Sequence, residues 1–82
     1  MTVDEVIHTC DEIRDLRPSG KVAQRALEYC EGMKRTYRVY GVGGVVLQVK
    51  TILQHLRHWR GEKAKEYRAL LKLALEEGIT LE

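Results

Sequence analysis

Apolar residues recur at helical spacing in four successive stretches of this chain. Val3, Val6, Ile7, Cys10 and Ile13 stand three or four apart, which puts them on one face of an α-helix. Thr2 is followed three residues later by Glu5, a capping-box pattern in which side chain and backbone satisfy each other at a helix start. Asp4 and Glu5 also suit the positive end of the helix dipole. Pro18 pushes the residue before it out of the α region and so stops this helix. The first helix is placed at about 3–16.

Ser19 is the expected cap of the next. Val22, Ala26, Tyr29, Cys30, Met33, Tyr37 and Tyr40 fall on one arc of about 120° at 100° per residue. They predict one helix of roughly five turns over 20–40. Its last residues, Thr36 to Tyr40, are rich in β-branched and aromatic types, which lowers helix propensity and marks a place to fray or bend. Three glycines in the four residues 41–44 favour a turn. A third helix over 45–60 follows, with Val45, Val49, Ile52, Leu53, Leu56 and Trp59 as its stripe and Gly61 as its left-handed stop. A fourth over 62–77 turns Ala64, Tyr67, Leu70, Leu71, Ala74 and Leu75 inward. Gly78 followed by Ile79 reads as its Schellman ending.

Four amphipathic helices with short loops predict an all-α, compact four-helix bundle, a single domain over 1–82. An up-and-down order is the simplest arrangement, and a long second helix packed by three shorter ones is the variant. Ile52, Leu56, Met33 and Leu71 are the expected centre of the core. The final Leu81-Glu82 is either native or a cloning scar and carries no weight.

Composition changes this picture little. Hydrophobic residues make up 44% and charged residues 32% of the 82, a globular and not a disordered balance. A domain this small holds one core and no deep interlobe cleft. No run of about 18 apolar residues offers a membrane span. Five acids among the first fifteen residues are unlike a secretory leader, so a cytoplasmic location is the default expectation.

Charge changes the picture more. The net charge of +2 conceals an uneven distribution. Residues 1–31 hold seven acids and four bases, and residues 62–82 hold five acids and four bases. Residues 32–61 hold Lys34, Arg35, Arg38, Lys50, Arg57 and Arg60 and no acid. Six uncompensated positive charges attract polyanions. If the second and third helices are antiparallel, Lys34, Arg35 and Arg38 lie at one end of the pair and Arg57, His58 and Arg60 at the other. Lys63 and Lys65 begin the fourth helix beside the second group. The best single patch is therefore Arg57, His58, Arg60, Lys63 and Lys65, with Lys34, Arg35 and Arg38 as a separate cluster. Tyr37, Tyr40 and Trp59 lie among these bases and offer surfaces for unpaired nucleobases. The plainer account is that bases near helix C-termini answer the dipole and that the aromatics belong to the core.

Other motifs carry less. Gly41-Val42-Gly43-Gly44 looks superficially like a dinucleotide loop but lacks the flanking parallel strands that fold requires. His55 and His58 share a helix face, yet two histidines fall short of a zinc site. Cys10 and Cys30 lie on inner faces, where a thiol is a small hydrophobe, and twenty residues' separation fits no disulfide framework. No nucleophile–base order and no phosphate-loop lysine appears. No metal and no cofactor is expected. Val39, Leu47 and Leu73 fall off the apolar arcs, as they would on a surface that a partner covers.

Two readings of function follow. One is a non-enzymatic helical module that binds DNA or RNA through its basic central helix-loop-helix, as an accessory or subunit of a larger assembly. The other is a protein–protein adaptor or homodimeric bundle with no nucleic-acid role.

Overall fold

In the computed structural model, which describes residues 1–81, the chain is all-α: among the described residues there are four helices and no strand. They are α1 (Val3–Leu16), α2 (Lys21–Glu31), α3 (Met33–Leu56) and α4 (Glu62–Glu77). Together they form a small four-helix bundle measuring 30 × 22 × 19 Å. Glu82 lies outside the described residues.

Helix α1 starts as its pattern predicts. The Glu5 amide donates to Thr2 Oγ1 at 3.1 Å and the Thr2 amide donates to Glu5 Oε1 at 3.0 Å. These hydrogen bonds hold the Glu5 carboxyl below its ordinary pKa, the backbone amide of Thr2 contributing most. The helix ends one residue before Pro18's neighbour, with Arg17 in the left-handed conformation. Val3, Val6, Cys10 and Ile13 are buried.

The middle of the chain departs from expectation. The single five-turn helix over 20–40 is broken at Gly32, whose φ of −82° and ψ of 2° end α2 and begin α3. Gly32 is the residue least able to hold a helix there, and a tertiary contact occupies the break: Gln48 Nε2 donates to the Tyr29 carbonyl at 2.6 Å. At the start of α2, Ala23 is buried while Val22, expected inside, is half in solvent. Tyr40, expected inside, is 74% exposed. The cap of α2 is Gly20 and not Ser19.

Helix α3 is not straight. Twenty-four residues would span about 36 Å, longer than the whole molecule. The reversal falls at Gly41, with φ 73° and ψ −159°, a conformation open to glycine and strained for any residue with a Cβ. The helical halves 33–40 and 42–56 fold back on one another. Thr36 Oγ1 donates to Gln48 Oε1 at 2.6 Å, although twelve residues of straight helix would separate them by about 18 Å. The expected four-residue turn at 41–44 is thus concentrated in one residue, and helix resumes at 42 rather than 45. At its other end α3 stops at Leu56, so residues 57–61 are a loop and not the last turn of a helix.

Helix α4 begins after Gly61, which serves as its N-cap at φ 111° rather than as the stop of α3. It ends at Gly78, φ 92°, whose amide donates to the Ala74 carbonyl. The core is drawn from all four helices, with Ile13, Met33, Ile52, Leu56 and Leu71 fully buried. Helix α1 packs on the other three, whereas among the described residues α2 and α4 do not touch. The residue before α1 and the segment after α4 are tied together by a parallel bridge between Thr2 and Thr80. The Val3 amide donates to the Thr80 carbonyl at 2.8 Å and the Thr80 amide to the Met1 carbonyl at 3.1 Å. Among the described residues no helix is long and apolar enough to cross a membrane.

Candidate functional site

The corner between α3 and α4 is built around Arg68. Once α3 stops at Leu56, its last carbonyls need partners. Arg68 Nη1 donates to the Leu56 carbonyl at 3.1 Å and also to the Trp59 carbonyl. The Trp59 amide donates to the Leu56 carbonyl at 2.9 Å. One half-buried guanidinium on α4 therefore holds loop 57–60 in shape. It also sets positive charge against the negative end of α3.

Trp59 is fixed by its ring as well. Its indole lies nearly parallel to the Tyr67 ring, 13° between planes and 6.5 Å between centroids. Tyr67 is held in turn, because its hydroxyl donates to Glu12 Oε2 at 2.8 Å. That bond to a carboxylate raises the Tyr67 pKa, since the phenolate would lose its acceptor and meet a negative charge.

These constraints shape a cleft of about 220 Å³ lined by Arg57, His58, Trp59, Arg60, Lys65 and Arg68, with Gly61 at its edge. Among the described residues no acidic side chain lines it. The structure thus brings together four of the five residues in the best patch read from sequence: Arg57, His58, Arg60 and Lys65. The fifth, Lys63, does not line the cleft; its ammonium lies 3.6 Å from Glu66 Oε2, one helical turn on. That pair also occupies Glu66, one of the two acids on the first turn and a half of α4.

The second cluster is elsewhere. Tyr29 packs on His55 and Thr36 bonds Gln48, so the chain from 29 to 40 runs back along 42–56. Lys34, Arg35 and Arg38 are exposed on 33–40, the helical half that precedes Gly41, and none of them lines the cleft with Arg57. Lys34 reaches a larger cleft of about 790 Å³ between α1 and α2. Asp11, Asp15, Glu28 and Glu31 outnumber Arg14, Arg17 and Lys34 in that wall, so it offers no positive field for an anion.

The histidines are dispersed. His8 pairs with Glu12 at 3.2 Å on α1. His55 Nδ1 donates to the Thr51 carbonyl at 2.9 Å, and His58 lies on the basic loop. Cys10 and Cys30 are both buried. The neighbouring Cys30 thiol and burial together push the Cys10 pKa far above the ordinary thiol value, which disfavours the thiolate that thiol chemistry needs.

Sequence reasoning missed Arg68, the residue that organises the corner. Its only signal is a base six residues into the fourth helix, and no spacing rule links that position to the carbonyls of a preceding helix. A second surface feature was partly visible. Tyr40 and Leu47, 74% and 65% exposed, line a shallow groove of about 510 Å³ with Tyr29, Gly43 and Gly44.

Fold and site together define a small helical domain with a cationic cleft at one interhelical corner. No protein-family model, no curated protein and no solved structure matches the chain.

Proposed function

We propose that this domain is a binding module, not an enzyme, and that it binds nucleic acid through the α3–α4 corner as part of a larger assembly. The observation that carries this reading is the acid-free cleft lined by Arg57, His58, Arg60, Lys65 and Arg68. Cationic side chains converging on one concavity focus a positive field, and phosphates respond to it regardless of sequence. The dipole accounts for Arg68, which caps α3. It also favours Arg57, the C-cap residue of α3, but not Lys65 in the first turn of α4; Arg57, Arg60 and Lys65 are exposed, and among the described residues no carboxylate lines the cleft.

The test is a salt titration of binding to mixed-sequence oligonucleotides. Each phosphate contact contributes roughly −0.9 to the slope of log K against log salt on duplex and about −0.7 on single strands. The Arg57→Ala, Arg60→Ala double variant should flatten the slope by roughly 1.4–1.8 units, with an unchanged circular dichroism spectrum. Absence of binding at low salt sinks the reading. Retention of the full slope by the double variant moves the contact to Lys34, Arg35 and Arg38.

A second reading is supported by the Tyr40–Leu47 groove. Contiguous exposed apolar side chains are a common mark of protein contact, and an adaptor or homodimer would use this face. Light scattering at micromolar concentration distinguishes a monomer from a self-associating chain.

A further inference from the structure

We infer that the α3–α4 cleft takes single-stranded rather than duplex nucleic acid, with one unpaired base held against Trp59 and the neighbouring phosphates on Arg57, Arg60 and Lys65. This rests on the nucleic-acid reading above and narrows it to a class of ligand.

The inference starts from how Trp59 is held. It lines the cationic cleft and is only partly buried. Its backbone is pinned at both polar groups: the amide donates to the Leu56 carbonyl at 2.9 Å and the carbonyl accepts from Arg68. Its ring is braced by Tyr67, and Tyr67 is braced by Glu12. An aromatic ring so fixed loses little freedom when a ligand packs on it, so Trp59 itself adds little to the ordering cost of binding.

The shape of the site then separates the two forms of nucleic acid. Trp59 lines a concavity of about 220 Å³, which has room for one nucleobase. In a duplex the base faces are stacked and paired, and the convex outer surface presents phosphates and sugars. Such a surface spans the cleft and touches its rim, leaving Trp59 without a partner. A single strand turns a base outward at little cost, and every base has a face that stacks on an aromatic ring. The rim cations suit the same ligand, because phosphates on either side of an inserted base lie within reach of long, exposed arginine and lysine side chains. Stacking on an aromatic ring is open to every base, so little sequence preference is expected.

The chain has one tryptophan, so its intrinsic fluorescence reports directly on the cleft. The full chain is titrated at low salt with an oligothymidylate of about 12 nucleotides and with a mixed-sequence duplex of equal length. The expected result is quenching of Trp59 by the single strand and an affinity roughly tenfold or more above that for the duplex, in line with the energy of base–aromatic stacking. Trp59→Leu should bring single-strand affinity down to the duplex value, and Trp59→Phe should keep part of the difference. If Trp59→Leu does not fold, the quenching and the strand preference of the unaltered chain still decide the matter. Equal affinity for both forms with undisturbed Trp59 fluorescence overturns the single-strand inference and leaves nucleic-acid binding standing. No binding to either form overturns both.

Discussion

Gly41, Gly43 and Gly44 sit within four residues of one another and answer three different demands. Gly41 reverses the chain at a positive φ of 73°. Gly44 lies where the halves of α3 cross: a Cβ there would meet Tyr40 Cβ at 2.6 Å and Thr36 Cγ2 at 3.2 Å. Gly43 is helical with open space around it. From sequence these three residues are one undifferentiated turn signal, because a glycine's reason is written in what surrounds it. The distinction is testable. Gly43→Ala should stabilise the domain by about 0.5–1 kcal/mol, since alanine loses less backbone entropy in a helix. Gly44→Ala should destabilise it by about 1–3 kcal/mol, because the new methyl group meets the base of a side chain and forces the helices apart. Urea denaturation of the two variants reads both effects, and equal behaviour would show that the crossing is not tight at Gly44.

At the scale of elements, the ends of helices were legible where the signal is local. The capping box at Thr2 and Glu5, the stop before Pro18 and the glycine at 78 all act through immediate neighbours, and all three stand where the pattern put them. The break at Gly32 was not legible. A lone glycine inside an apolar stripe is ordinarily carried through a helix, and here a residue sixteen positions away decides otherwise. Gln48 donates to Tyr29 at the end of α2 and accepts from Thr36 in the first half of α3. Gln48→Ala should therefore leave a half-buried carbonyl and a hydroxyl without partners, at about 1–3 kcal/mol. Gln48→Glu should cost a similar amount at neutral pH, because a carboxylate cannot donate to the Tyr29 carbonyl. Thermal melts at pH 7 check both. A melting temperature unchanged in either variant would mean that Gly32 breaks the helix without help.

The whole molecule is closed by its ends. Thr2 and Thr80 form a bridge, Ile79 is 8% exposed within the core cluster, and Val3 beside it is buried. A fold of this size has a total stability of only about 4–12 kcal/mol, so the last few residues matter more than their position implies. Ile79→Ala should cost about 2–5 kcal/mol and lower the melting temperature by many degrees. Leu81→Ala, on an exposed residue just beyond the bridge, should change it little. Similar losses in both would point to a general effect of the terminus and not to closure of the core.

Periodicity and local caps determined the helical class of this protein, the inward faces of α1 and α4 and the second half of α3, and the excess of positive charge in residues 32–61. Those properties depend on neighbours three or four positions apart, which a sequence displays directly. The tertiary structure alone decided where the second helix breaks, which of three adjacent glycines turns the chain, that the termini pair, and which bases share a cleft. Arg57, His58, Arg60 and Lys65 meet because Arg68 ties off the end of α3 and draws the loop against α4, while Lys63 pairs with Glu66 and Lys34 lines a cleft of mixed charge between α1 and α2. Charge along a chain states how many cations there are; convergence on one concavity depends on contacts between residues far apart in sequence, and only the folded packing supplies them.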